Sequence, residues 1–497
     1  MSKFLHKTAV VWFRNDLRLH DNISLSRAIE SAETIIPVYV FDERFQTAHS
    51  YSRIGSFPRA GLKRLRFVLE SVEDLKNSLI SVGSDLLVVV GHTEQEIEKV
   101  VNETGATLVV GHKEVTSEEI GIEKKLFKKY NNSNVLLEFL WDNTMYHLDD
   151  LPFTLKNIPN IYTSFRKQVE SKSQVRAPLP TPTALPPFTL KNIKPFPTLI
   201  DLGITEEEIN NEIPNKSELQ FKGGEKAGLQ RMQDYFFTNN CLREYKETRN
   251  GLLGANYSSK FSSWLAYGCL SPRTIYANVK KYESQVVENQ STYWMLFELL
   301  WRDYFKFWVY KVGNTVFQLE GPNNRKDLKW KKDADLFHAW ASGTTGFPFI
   351  DACMRELNAT GFMSNRGRQN VCSFIARDMG LDWRLGAEYF ENRLIDYDVC
   401  SNWGNWVYGT GVGNDPREDR YFNIIKQASV YDPKGEFVKF WCPELANVPV
   451  ELLNTPWKMS ALEQKKYKCE VGTTYPKPIV KLIAGMNSWT GSKKQFR

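Results

Sequence analysis

The chain lacks several features that would have assigned it quickly. No stretch reaches the roughly 18 apolar residues of a membrane-spanning helix, so no membrane span is expected. The seven cysteines, Cys241, Cys269, Cys353, Cys372, Cys400, Cys442 and Cys469, are odd in number and scattered. That argues against a disulfide framework or a C-x-x-C pair and suits reduced thiols in a cytosolic or nuclear compartment. The seven histidines form no H-E-x-x-H pattern, and no metal site is expected. Neither G-x-G-x-x-G nor G-x-x-x-x-G-K-[ST] occurs, which argues against an ordinary nicotinamide site or a P-loop. The opening MSKFLHKTAVVWF runs directly into a strand-like segment, leaving no room for a signal or transit peptide. A soluble intracellular protein, nuclear or cytoplasmic, is expected.

At 497 residues the chain exceeds one hydrophobic core and calls for two domains. Its formal charge of +6 permits a polyanionic partner without selecting one. Tryptophan is abundant: twelve of the 14 lie between Trp264 and Trp489. They suit either core packing or the handling of planar rings.

Apolar, β-branched runs recur at Thr8–Phe13, Thr34–Phe41, Asp85–Gly91, Thr107–Gly111 and Val135–Leu140. Helical stretches, Ser56–Ile80 and Glu94–Glu103 among them, lie between. The alternation predicts a doubly wound parallel sheet over residues 1–170. Seven prolines between Pro178 and Pro197 mark an extended linker within residues 171–221. From residue 222 to 497 the apolar spacing is three and four, as in Trp294–Tyr310 and Gly367–Met379, which predicts an all-α domain.

Four segments of that second half carry polar residues in patterns that suit chemistry. Ser258, Ser259 and Ser262 precede an apolar helical run, as either an anion site or a helix cap. Glu298, Trp301 and Arg302 share one helix face at i, i+3, i+4, as a salt-bridged surface or a base-stacking pocket. Asn365, Arg366, Arg368 and Gln369 cluster in FMSNRGRQN, with the two arginines pointing to different sides. Asp396 and Asp398 precede Asn402 and Trp406 in an aromatic stretch, where a buried acid needs an arginine, Arg368 being the obvious one.

Together with the WFRNDLRLHDN opening, these segments resemble the photolyase/cryptochrome family over about Ala9 to Pro456. FMSNRGRQN and DYDVCSNWGNWVYGTGVGNDPREDRYFN resemble its DASH branch most closely. The resemblance implies an α/β N-terminal domain joined to an all-α domain that binds FAD and DNA. It implies that Tyr245, Ser258, Ser259, Lys260, Phe261 and Ser262 hold the FAD phosphates, that Asp396 and Asp398 contact the cofactor with Arg368 paired to Asp396, and that Asn402 faces the flavin N5. It implies light-driven repair of cyclobutane pyrimidine dimers, with Glu298 bonded to the dimer carbonyl, Trp301 and Tyr408 packed on the flipped pyrimidines and Asn365 nearby. Trp406, Trp383 and Trp330 match the family's electron-carrying tryptophans, and Arg366 and Gln369 fall at the DNA face. The basic run Arg325–Lys332 suits either phosphate tracking or a solvated surface. The antenna implied is 5,10-methenyltetrahydrofolate, with Glu118 against its pterin.

Repair enzymes acting on duplex DNA usually carry Met at the position of Gln369 and Trp at that of Tyr408. A smaller, more polar pocket rewards base extrusion less, so single-stranded DNA is the expected partner of a monomeric protein. The other readings are a blue-light signalling receptor, a DNA-binding regulator, and an adenylate or nicotinamide enzyme built on the first domain. Signalling relatives usually carry long C-terminal extensions, whereas about 40 residues follow the last motif here.

Overall fold

The computed structural model describes residues 4–46, 57–191, 193–417 and 420–483; Ser56, the basic residues beyond 483 and Trp489 lie outside them. The first domain is a five-stranded sheet of β1 (His6–Phe13), β2 (Ala32–Asp42), β3 (Leu87–Gly91), β4 (Leu108–His112) and β5 (Leu136–Leu140). The strands lie in the order β3-β2-β1-β4-β5 and all neighbours are parallel. The five expected runs are these five strands, shifted by at most two residues at either end. The helices between them are α1 (Ile23–Ser31), α2 (Leu62–Ser81), α3 (Thr93–Thr104) and α4 (Ser117–Tyr130).

Alternate residues of each strand face opposite sides, and the sheet has two unequal cores. Val10, Trp12, Val38, Val40 and Val109 meet Ile97, Val100 and Leu126 of α3 and α4. On the other face Val11, Phe13, Tyr39, Phe41 and Val110 join a core that continues through α1 and α2 into the helical domain.

Helix α2 begins at Leu62 rather than near Ser56. Pro58 disfavours helical backbone at Phe57, and Gly61 donates its N–H to the Asn392 carbonyl at 2.9 Å instead of continuing a helix backwards. The proline-rich segment is extended and held against the first domain. Leu179 exchanges hydrogen bonds with Asp21 (3.1 and 2.8 Å), Leu185 donates to Val82 at 2.9 Å, and Phe188, Leu190 and Ile193 pack on the smaller core. A last helix of this half, α5 (Tyr162–Lys172), packs Phe165 against Phe307 of the long Gln290–Val312 helix. That helix contains the expected Trp294–Tyr310 stretch. Gly367–Met379 falls in the Asn365–Ser373 helix and a π-helical turn, Phe374–Asp378.

The WFRNDLRLHDN loop joins the two halves. Arg18, fully buried, donates to the Gly268 carbonyl at 2.9 Å and to Asp142 at 3.0 Å. Arg273 donates to Asp21 at 2.9 and 2.6 Å and to Asp142 at 2.7 Å. Glu225 accepts from the Leu19 and His20 amides at 2.8 and 3.0 Å. The strand order reverses between β1 and β4, where a doubly wound sheet usually binds its ligand. Here that place is filled by Arg14 on Glu123 (2.7 Å), Asn15 on Glu114 (2.8 Å) and Lys306 on Glu114 (3.1 Å).

Removing one member of a buried ion group strands its partners and costs about 3–5 kcal/mol. Arg273→Met should therefore destabilise the protein by that amount in urea unfolding. Arg166→Met, which breaks an exposed i, i+4 pair with Glu170, should cost under about 1 kcal/mol. Equal costs for the two variants would contradict this account of the junction.

Candidate functional site

The serine-rich segment is a loop clamped from one side. Arg231, on the Glu225–Gln233 helix, donates to the carbonyls of Ser259 (3.0 Å), Ala255 (2.9 Å) and Ser258 (3.1 Å) and to the Asn256 side chain (2.9 Å). Four acceptors of one loop thus turn to a single guanidinium. Ser262 opens a five-residue helix, Ser262–Ala266, but no side chain caps it, so the helix-cap reading of these serines does not hold. Lys260 sits at φ 57°, in the left-handed region, although it is not glycine. Such strain persists only where the surroundings over-determine it. Its ammonium is buried, donates to the Gly254 carbonyl at 2.9 Å and lies 4.3 Å from the centre of the Tyr257 ring.

Burial pulls the Lys260 pKa down and pushes that of nearby buried Glu356 up, each restrained by the other's charge. Lys260, Arg231 and Arg368 make this a buried cationic pocket, which suits a pyrophosphate. Tyr245 is buried on a short helix, within reach of the charges of Glu298 and Arg249.

The expected partnership of Arg368 and Asp396 is present: Nη2 donates to Oδ2 at 2.7 Å, and Nε donates to the Met363 carbonyl at 2.9 Å. Asp396 Oδ1 is buried and accepts no hydrogen bond from the described residues. An orphaned acceptor beside a satisfied one fits a cofactor that brings its own donor. Asp398 caps the Val399–Thr410 helix, accepting from the Ser401 amide at 2.7 Å. Asn402, on the first turn of that helix, donates its amide to the Ala387 carbonyl at 3.0 Å, which fixes the side-chain orientation.

A second group of residues forms a rim. Glu298 accepts from Arg249 at 2.6 Å. Burial raises its pKa, and Arg249 opposes the rise. Trp301 stacks on Tyr162, with ring centres 3.7 Å apart and planes at 15°, and meets Tyr408 edge-on at 5.7 Å. Tyr162 covers one face of Trp301, so any further ring must use another side. Arg302 does not join this group: it bonds Asn143 and the Leu265 carbonyl and braces the two halves.

Arg366 donates to Gln369 (2.9 Å) and Asn250 (3.0 Å) and lies 4.3 Å over the Tyr431 ring. It turns away from Arg368, as the spacing predicts. Its pKa is lowered by burial and by the charges of Arg420 and Arg249. Three guanidiniums thus stand near one another around the rim. Asn365 is exposed at the start of the same helix.

The segments carrying Trp406, Trp383 and Trp330 meet despite the 23- and 53-residue separations of the three rings. The Trp406 ring lies against Gly386, where a Cβ would be only 2.1 Å away, less than one turn from Trp383. Lys331, next to Trp330, bonds Gly380 (2.7 Å) and Asp382 (3.0 Å), just before Trp383. Trp340 and Trp403 also touch this group, 6.4 Å from Trp406 and 5.7 Å from Trp383 respectively.

Glu118 accepts from Arg59 at 2.6 Å, and Arg59 also holds Glu391 at 3.0 Å, so the acid belongs to a bridge between the domains. Its neighbour Ser117 lines a cleft of about 570 Å³ with Asn314, Gln318, Lys332 and Arg384. Arg231 and Arg249 have no counterpart among the sequence-predicted residues. Arg231 stands 24 to 28 residues before the atoms it holds, and no local pattern links them.

The DNA photolyase family matches residues 9–184, and the FAD binding domain of DNA photolyase matches residues 294–491. The cryptochrome DASH of Gloeobacter violaceus is 49% identical over 96% of this chain and 94% of its own length. The chloroplastic/mitochondrial cryptochrome DASH of Arabidopsis thaliana is 49% identical over 91% of this chain and 79% of its own. The solved Synechocystis cryptochrome superposes with a TM-score of 0.89 at 46% identity, covering 97% of this chain and 98% of that one. A bacterial class III photolyase from Agrobacterium tumefaciens reaches 0.82 at 26% identity, over 97% and 95%. With this architecture, an orphaned acceptor in a cationic pocket and relatives matched nearly end to end, the chain belongs to the photolyase/cryptochrome family, on its DASH branch, and carries that family's FAD-binding domain.

Proposed function

We propose that this protein repairs cyclobutane pyrimidine dimers in single-stranded DNA under blue light. The observation that carries the reading is the rim: Glu298 bonded to Arg249, beside the aromatic pair Trp301 and Tyr408 and the guanidiniums of Arg366 and Arg420. When bound, reduced FAD supplies the excited-state electron that splits the dimer and takes it back afterwards. Ser258, Ser259, Lys260, Phe261 and Ser262, held by Arg231, would bind its phosphates, as would Tyr245. Asp396 would accept from it through Oδ1, and Asp398 and Asn402 would line it.

The remaining tasks fall to side chains at the rim. Trp301 and Tyr408 would pack on an extruded pyrimidine pair and keep water from it. Burial raises the Glu298 pKa, so that in its protonated form it would donate a hydrogen bond to a pyrimidine carbonyl, and Arg249 would offset the negative charge that develops there. Asn365 offers a further donor at the opening. Arg366, tied to Gln369, would meet backbone phosphate. Trp406, Trp383 and Trp330 would carry electrons inward from the surface.

The cleft beside Ser117 would take an antenna such as 5,10-methenyltetrahydrofolate, with Lys332 and Arg384 facing its carboxylates. Glu118 reaches it only at the expense of the Arg59 bridge.

The pH profile of repair tests the role of Glu298. A carboxyl with a raised pKa keeps its proton above the usual carboxylate range and loses it as pH rises further. Repair per absorbed photon should therefore fall with rising pH in the native protein, stay flat in Glu298→Gln, and drop about 100-fold in Glu298→Ala. A pH-independent native protein, or an alanine variant as active as the native one, contradicts this role.

A second test concerns the cofactor loop. Arg231→Met should lower the FAD retained per chain, read as flavin absorbance against protein absorbance after gel filtration, with the circular dichroism of the helices preserved. Full flavin retention would mean that the clamp does not shape the site.

A further inference from the structure

Rim and cofactor pocket leave unexplained a groove of about 1180 Å³ on the far side of the Ile424–Tyr431 helix. Its floor is apolar and includes Phe347, Trp457 and Ile479, and four lysines line it: Lys426, Lys458, Lys477 and Lys481. None of the described residues lining it is acidic. All four lysines are exposed, while Trp457 is half-buried, meeting Phe347 edge-on at 5.2 Å. Lysines around an apolar floor with one half-buried indole match the chemistry of a single nucleic-acid strand, whose phosphates take the charges and whose bases pack on the apolar surface.

The groove also continues the rim. The Ile424–Tyr431 helix holds Tyr431 under Arg366 at 4.3 Å and Gln427 against Asn370 at 3.5 Å on one side. On the other side it contributes Ile425, Lys426 and Ser429 to the groove. A strand leaving the rim past Arg366 has only this helix, about 10–12 Å across with its side chains, to cross.

We propose that this groove binds the stretch of single-stranded DNA that flanks the lesion, a second nucleic-acid subsite outside the dimer pocket. The proposal rests on the reading that the protein acts on DNA. The subsite lengthens the footprint on the strand and adds phosphate contacts that a base pair in a duplex would not reach in the same way.

The test is the length dependence of binding by the full chain, using lesion-free oligothymidylates of about 4 and about 12 nucleotides, within the range of single-strand site sizes. The native protein should bind the longer one more tightly and with a steeper salt dependence. In the variant K426E/K458E/K477E the gain with length should vanish. The slope of log affinity against log salt for the longer strand should fall by about 2, at about 0.7 for each of three lost contacts.

An undiminished length gain in the variant overturns the proposal. So does equal binding of the two lengths by the native protein. Repair of a dimer in the short oligonucleotide reads the dimer pocket alone, so its failure counts against the repair reading and not against the groove.

Discussion

Arg18 and Arg273 meet Asp21 and Asp142 at the junction of the sheet and the helices, where almost no water reaches them. Charges taken out of water are tolerated only when their partners stay in place, so the two domains are held in one relative arrangement. The site hangs from that junction. Leu17 donates its amide to the Tyr267 carbonyl at 3.0 Å, one residue beyond the Ser262–Ala266 helix. Gly268, at φ 66°, lies so close to Asn15 that a Cβ would stand 2.1 Å from its carbonyl oxygen. The loop that follows the first strand is thereby tied to the chain just after the Ser262–Ala266 helix, more than 240 residues later.

The pocket itself is built around positive charge that the protein only partly neutralises. Arg231 spends its donors on loop carbonyls, Lys260 is buried in a strained backbone conformation, and Arg368 shares one oxygen of Asp396. Desolvated cations of this kind are costly alone and favourable beside an anion. The rim repeats the pattern in a more open setting, where burial and the charges of Arg420 and Arg249 lower the affinity of Arg366 for its proton. On the reading proposed above, a dinucleotide inside and a polyanionic strand outside would answer the two excesses of charge.

Much of this was legible in the sequence. β-branched runs separated by helical spacing gave the five parallel strands to within two residues, because the central strands, buried on both faces, leave no polar alternation to confuse. Arg368 and Asp396 paired as a buried acid in an aromatic stretch requires. Other features were hidden because they depend on long-range contacts. Arg231 and Arg249 show no local spacing to their partners, and Arg302 shares a helical face with Glu298 and Trp301 yet is drawn off by Asn143. The bond from Arg59 to Glu118 spans 59 residues and has no local signal either. Helix α2 starts later than its apolar pattern because Pro58 precedes it.

On the proposed reading, the rim works on a lesion already free of its partner strand. The direct measurement is light-driven repair of one thymine dimer, placed in a single-stranded oligonucleotide and in the matched duplex, by protein whose flavin has been photoreduced. Extrusion from a duplex costs a few kcal/mol, so the single strand should be repaired about 10- to 100-fold more efficiently at limiting protein. Equal repair of both, or repair of neither by protein with bound and reduced FAD, would contradict the account.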